Sequence, residues 1–323
     1  MNHSTYPFYI VIAAHGDALR LQQTLRSLAA CAMPANYREL ILVENGAKSG
    51  IAEVAASAPE QLHVRYLYNS PPSKSEALNV GLEQVQDSDA FIFFTDDDVS
   101  VVPELLETYA QAAKTYGTGH YFGGPVYPDW KIVPPNWLLP SLPGSAKGWQ
   151  LQPDTLLYAF LGFNWGAFLS DLKTTGSFDW RFGPGSPYGA TGQETNMQVR
   201  MFRAGLVPVY LQNAGVTHQV PRSRCNFSWV LQRNFRSGIS EGLAEIPFRP
   251  GSMSSQGVTP ANRPAGLVKT ARKTIRFFMR AESPLELACR IACLLAFCGG
   301  IAKGAFIKKT KIQGQINNGA PNG

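Results

Sequence analysis

The stretch that most constrains this chain is residues 90–100, AFIFFTDDDVS, in which an apolar run passes directly into three consecutive aspartates. A run this short is not a helix and shows no alternation, so it reads as a strand buried on both faces, in the manner of parallel α/β sheets. Open α/β sheets bind ligands beyond the carboxyl ends of their strands, and Asp96, Asp97 and Asp98 stand at that end. On an extended or turning backbone Asp96 and Asp98 point to one side and Asp97 to the other. Two carboxylates held together repel, and each raises the other's pKa unless a cation neutralises them. A hard divalent ion, Mg2+ or Mn2+, with substrate phosphate completing its oxygen shell meets that need. The plain alternative is a solvated acidic turn ahead of the helix that begins near Pro103.

The residues before this stretch alternate between strand and helix patterns. FYIVIAA (8–14) is a strand, and 18–30 sets Leu21, Leu25 and Leu28 on one helical face. Strands follow at 39–43, ending in Glu44, Asn45 and Gly46, and at 64–68; a helix over 73–85 turns Ala77, Leu78, Leu82 and Val85 inward. This order predicts an α/β fold, a mostly parallel sheet flanked by helices with a crevice at one edge. Neither GxGxxG nor a Walker A loop is present; AAHGDA follows the first strand, which weighs against the usual dinucleotide fold and leaves open a nucleotide held by a metal bridge, which the aspartates fit.

Beyond a helix at 104–114 and a strand at 120–126 comes an irregular run, 127–153, with Trp130, Trp137 and Trp149. Long loops in compact domains are usually functional, and these tryptophans either stack on a sugar face or plug the loop onto the core. Asn164 lies in the apolar segment LLYAFLGFNWGAFL, where a buried amide must bond backbone or contact a ligand. A glycine-rich loop, 183–192, leads into a helix over 193–204 with Glu194 in its first turn, a favourable place for a carboxylate whatever its role. A last strand at 206–211 precedes a turn-like GVTHQVPRSR containing His218.

The 323 residues, 45% hydrophobic, suffice for one large core. The formal charge of +6 is concentrated after residue 260, in Arg263, Lys269, Arg272, Lys273, Arg276, Arg280, Arg290, Lys303, Lys308, Lys309 and Lys311. A basic tail, without interleaved bases and aromatics elsewhere, favours an anionic surface as partner and gives no nucleic-acid module. The five cysteines form no CxxC pair, which suggests a reducing compartment, and no positively charged leader precedes the first strand. Residues 239–266 read as a linker or surface wrap and 267–323 as a basic amphipathic helical tail. Its uncharged core, 291–302, falls short of the roughly 20 residues that span a bilayer. The tail therefore reads as an interfacial anchor on anionic lipid, or else as a hairpin docked on protein or a dimer contact.

In their order, FYIVIAAHGDALRLQQTLRSL, LILVENG, SKSEALNVGL, FFTDDDV, LGFNWGAF, GSFDWRFG, GQETNMQVRMFRAGL and VTHQVPRSR resemble the family 2 glycosyltransferases, the inverting, metal-dependent kind with the GT-A fold. The likeness covers residues 8–238 and makes that span the catalytic domain. It implies transfer of a sugar from a nucleoside-diphosphate sugar, UDP before GDP or TDP, to a glycan or lipid-linked acceptor; together with the tail read as an interfacial anchor, this gives a cytoplasmic enzyme, peripheral at the inner face of the membrane, as the expected localisation. It implies Asp96, Asp98 and His218 as ligands of Mn2+ or Mg2+, and Glu194 as catalytic base. Donor contacts would come from Ala13, Ala14, Glu44, Lys74, Asp96, Asp97 and Asn164. Asn45 and Gln193 stand where the family has acidic residues. A nucleotidyltransferase and an inactive sugar-binding protein of the same fold are the competing expectations.

Overall fold

The computed structural model describes residues 6–153, 155–245 and 279–312. The chain forms two compact units, one of residues 1–131 and 144–220, the other of 132–143 and 221–323.

The first unit contains the strands β1 (Phe8–Ala14), β2 (Tyr37–Asn45), β3 (Val64–Asn69), β4 (Phe91–Thr95), β5 (Val99–Val101), β6 (His120–Gly123), β7 (Val126–Trp130), β8 (Trp165–Phe168), β9 (Val207–Tyr210) and β10 (Val216–Val220). Its helices are α1 (Ala18–Ala29), α2 (Ile51–Ala56), α3 (Lys74–Glu83), α4 (Leu105–Tyr116), α5 (Gly144–Lys147), α6 (Leu169–Thr175) and α7 (Gln193–Arg203). Seven strands make one sheet in the order β3-β2-β1-β4-β8-β6-β9, and three make another in the order β5-β10-β7. The half β3-β2-β1-β4 is parallel, β8 is antiparallel to both neighbours, and β9 is parallel to β6.

All seven residues of β1 are buried, so both faces of the sheet are covered. Strand alternation sends Phe8, Ile10 and Ile12 into a core shared with Leu21 and Leu25 of α1 and Tyr109 of α4. Tyr9, Val11 and Ala13 enter the opposite core with Ala77 of α3 and Met197 and Met201 of α7. β4 divides likewise, Phe91 and Phe93 to one side and Ile92 and Phe94 to the other. Each such side chain removed from water contributes about 1.5–3 kcal/mol.

In the first unit the structure differs from the sequence expectation at the strand 120–126 and at His218, and of the two roles open to the loop tryptophans it displays the packing one. The expected strand 120–126 divides at Gly124 and Pro125 into β6, in the large sheet, and β7, in the small one. A Cβ on Gly124 would lie 2.1 Å from the Ala214 carbonyl oxygen, so only glycine lets the backbone cross there. The loop tryptophans of this unit hold the polypeptide in place: Trp130 Nε1 donates to the Ala146 carbonyl at 2.6 Å, and Trp149 pairs its backbone with Val126 and packs edge-on to Phe160 and Tyr210. His218, expected in a turn, lies on β10, whose pairing with β5 sets it opposite Val99.

In the second unit α8 (Phe227–Leu243) and α9 (Pro284–Ile307) pack backbone against backbone. A Cβ on Gly238 would lie 2.0 Å from Phe297 O, and one on Gly300 would lie 2.0 Å from Phe235 O. α8 thus continues past residue 238, where the sequence suggested a linker, because Gly238 and Gly242 are contact residues and Ile239 and Leu243 are buried. Residues 246–266 of that linker and 267–278 of the basic tail lie outside the described residues. α9 is longer than the uncharged stretch 291–302: Ser283 accepts from Glu286 N at 3.1 Å at its start, and Glu286 pairs with Arg290 one turn on, so neither charge ends the helix.

The segment before α7 is fastened to α3. Lys74 N donates to Pro184 O at 3.1 Å, Ser75 Oγ to Phe182 O at 2.8 Å, and the Asn79 amide exchanges two 2.9 Å bonds with the Phe178 backbone. Gly185, at φ 79°, lies so close that an added Cβ would be 1.2 Å from Pro72 O. Gly185→Ala is expected to destabilise the protein by about 1–3 kcal/mol and to speed proteolysis of this loop. Urea unfolding with wild-type stability would contradict the packing.

Candidate active site

β4 leaves the large sheet at Thr95 and the chain enters the small sheet at Val99, so Asp96, Asp97 and Asp98 form the turn between two sheets. The turn is pinned on both sides. Thr95 Oγ1 donates to Phe163 O at 2.9 Å, and the buried Thr24 of α1 exchanges bonds of 2.8 and 3.0 Å with the Val99 backbone.

Each aspartate has its own partners. Asp96 is ion-paired to Lys74 in the first turn of α3. Asp97 accepts from the His15 backbone N–H at 2.9 Å, beyond the end of β1. Its carboxyl is pushed up to about 7, first by burial and then by the charges of Asp98 and Asp96. Asp98 has Oδ2 at 3.3 Å from His218 Nε2 and 4.0 Å from Arg20 Nη1. Arg20 was not singled out from sequence. Its signal is its place in the first turn after β1, one turn from Asp17, which its Nε meets at 2.9 Å.

Lys74 connects this turn to α7. Burial alone would lower its pKa, but the charges of Asp96, Glu194 and Asp97 outweigh that and hold it above the ordinary lysine value. The Glu194 carboxylate is therefore within electrostatic reach of the same ammonium that pairs with Asp96. Glu194 stands in the first turn of α7, after Gly192 at φ 77°, with its side chain against Gly162; a Cβ there would come within 3.0 Å of Glu194 Cδ. Gln193, beside it, is buried against Gly183.

His218 is oriented by two contacts. Nδ1 donates to the Ser145 carbonyl at 2.5 Å, and the ring stacks on Phe163 with centroids 4.7 Å apart. A carbonyl only accepts, so the proton is on Nδ1 and Nε2 is the atom presented to Asp98. With Nε2 unprotonated, a nitrogen and an oxygen lone pair face one point at a separation close to that of two adjacent ligands on an ion with bonds of about 2.1 Å. The pair therefore fits a divalent cation. Among the described residues no three His, Cys, Asp or Glu side chains gather on one ion, so the remaining ligands would come from substrate and water.

At the ends of β1 and β2, Ala13 and Ala14 are buried, and Asn45 Nδ2 donates to Ala14 O at 2.9 Å while its own carbonyl takes His15 Nδ1 at 2.7 Å. Glu44 is 1% exposed. It accepts from Tyr66 OH at 2.5 Å and from Ser49 N at 2.6 Å. Burial raises its pKa, but these hydrogen bonds together bring it below the usual 4.5. Asn164, grouped by sequence with the donor contacts, has its amide filled inside the protein. Oδ1 takes Tyr109 OH at 2.8 Å, and Nδ2 donates to Pro125 O at 3.0 Å and Ala214 O at 2.8 Å. Of the two roles open to it from sequence, the structure displays the backbone-bonding one.

A sheet whose parallel half ends in an acidic turn, with a small second sheet bringing a histidine to that turn, is the GT-A architecture of glycosyltransferases. The fold matches the mannosyltransferase PcManGT from Pyrobaculum calidifontis, a complex with GDP-Man and Mn2+, with TM-score 0.54 and 13% identity over 98% of this chain and 84% of that one. It also matches S. aureus TarS 1-349 in complex with UDP-GlcNAc, with TM-score 0.52 and 11% identity over 95% of this chain and 92% of that one. In sequence the chain is 27% identical over 259 residues to the succinoglycan biosynthesis protein ExoM of Rhizobium meliloti (strain 1021), covering 78% of this chain and 79% of the relative. Residues 9–171 match the model of glycosyl transferase family 2, and the chain belongs to that family.

The depressed Glu44 has a measurable consequence. A carboxylate whose folded pKa lies below its unfolded value contributes stability that is present above the unfolded value and lost as pH falls through the folded one. Glu44→Gln is expected to lower the melting temperature at pH 7 and to flatten its decline from about pH 5 to about pH 3. Parallel wild-type and variant profiles across that window would contradict the assignment.

Proposed function

We propose that this protein is an inverting glycosyltransferase that moves a sugar from a nucleoside-diphosphate sugar, with a UDP-sugar as first choice, to a hydroxyl of a glycan or lipid-linked glycan acceptor. The observation that carries the reading is the Lys74 ammonium, paired with Asp96 and within the field of Glu194. One carboxylate outside the aspartate turn thus stands beside the groups that would meet the diphosphate.

In this reading Glu194 takes the proton from the acceptor hydroxyl as that oxygen bonds to the anomeric carbon, and the bond from that carbon to the diphosphate breaks on the opposite face. Being in the first turn of a helix fixes the base against Gly162. Lys74 offsets part of the charge the leaving diphosphate gains. Asp98 and His218 would hold Mn2+ or Mg2+, which when bound supplies the rest of that compensation, while Asp96 stays with Lys74. Glu44, near the end of β2, would take the nucleoside by exchanging its present bonds to Tyr66 and Ser49. The succinoglycan relative supports an acceptor from bacterial polysaccharide assembly, and the neighbours with GDP-Man and UDP-GlcNAc support a nucleotide-sugar donor.

The test is nucleoside diphosphate release from a panel of UDP-, GDP- and dTDP-sugars, with Mn2+ or with chelator, alongside calorimetric donor binding. Release from one donor class that is lost with chelator is expected. Glu194→Gln is expected to keep donor binding while losing about 100-fold or more of turnover. Undiminished turnover in this variant would remove Glu194 as base, and absence of donor binding by wild-type protein would remove the reading itself.

A further inference from the structure

α9 has an inverted charge pattern. A helix on a water-soluble unit normally buries its apolar stripe and exposes its charges. In the first half of α9 both charged side chains, Glu286 at 3% and Arg290 at 6% exposure, are buried and paired with each other. The outer face carries Leu287, Ile291, Leu294, Leu295 and Phe306, of which Leu295 is 67% and Phe306 66% exposed. From 284 to 310 the exposed charges are Lys303 and Lys309, both at the carboxyl end, and no acidic side chain is exposed there. The helix is also long and apolar enough, by length and composition, to cross a membrane.

Its packing on α8 is of a second unusual kind. Contact through Gly238 and Gly242 against Gly300 and Gly304 brings backbones together, a mode that holds helices by close van der Waals fit and does not need water to drive it. A helix pair joined this way keeps its association when its outer face is in lipid. α8 carries Arg233, Arg236 and Glu241 along the same pair, and a transmembrane orientation would draw those charges into hydrocarbon. Lying in the plane of the membrane leaves them at the headgroups.

We infer that the outer face of α9 docks in the plane of an anionic phospholipid leaflet, with Leu295 and Phe306 among the acyl chains and Lys303 and Lys309 at the phosphates. An apolar face that ends in lysines matches acyl chains bordered by phosphate better than it matches a soluble partner. The proposal is independent of the catalytic reading, because no residue of the aspartate turn takes part.

The experiment is flotation of the full-length protein with phosphatidylglycerol–phosphatidylethanolamine vesicles and with phosphatidylcholine vesicles. Wild-type protein is compared with Leu295→Glu/Phe306→Glu, and Leu295→Trp is read by quenching from lipids brominated on their acyl chains. Wild type is expected to float with the anionic vesicles, the double variant to lose about tenfold or more of that binding with unchanged thermal unfolding, and the tryptophan to be quenched. Wild-type protein that stays with the soluble fraction overturns the proposal, as does a double variant that floats like wild type or a tryptophan that is not quenched. A wild-type dimer that ignores vesicles and is split by the double substitution assigns the face to a second copy, which also overturns it.

Discussion

Three adjacent carboxylates at the end of a buried strand repel one another, and much of the first unit answers that repulsion. α3 brings Lys74 to Asp96, the exit of β1 brings the His15 amide to Asp97, and α1 and β10 bring Arg20 and His218 to Asp98. Three separate elements supply positive charge or a donor to three consecutive residues, and a fourth, β10, sets the His218 ring against the last of them. The small sheet follows from the same requirement, because β10 pairs with β5 where the turn ends and so sets His218 beside Asp98.

The first ninety residues were legible because their signals are local. Burial on both faces, helical spacing and polar strand ends each lie within a dozen residues, and β1 runs from Phe8 to Ala14 as its sequence suggests. The small sheet was not legible. β5 has three residues and β7 begins just after a Gly-Pro break, and their pairing with β10 joins positions about a hundred residues apart, which no short window contains. His218 therefore looked like part of a turn. The tryptophans of the long loop look alike in sequence whether they face a ligand or the core, and here Trp130 and Trp149 are held by the Ala146 and Val126 backbones. Arg20 was hidden for another reason: an arginine on a surface helix is ordinary until Asp98 is found beside it.

In the second unit, composition pointed to an apolar, basic carboxyl-terminal region, but the direction each residue faces was a matter of packing. Gly242, within the span that reads as a linker, and Gly238 just before it are where another helix backbone rests. Glu286 and Arg290, which appeared to mark the limit of an apolar segment, satisfy each other inside it.

The clasp between α3 and the segment 178–185 bears on how this protein can diverge. Backbone-to-backbone contact at Gly185 and Pro72, together with the two-way Asn79–Phe178 bonds, makes α3, which carries Lys74, and the segment 178–185 travel as one body. Residues 178–185 must therefore be inherited as a block with α3, because a change on either side of the Gly185–Pro72 contact has to be matched on the other.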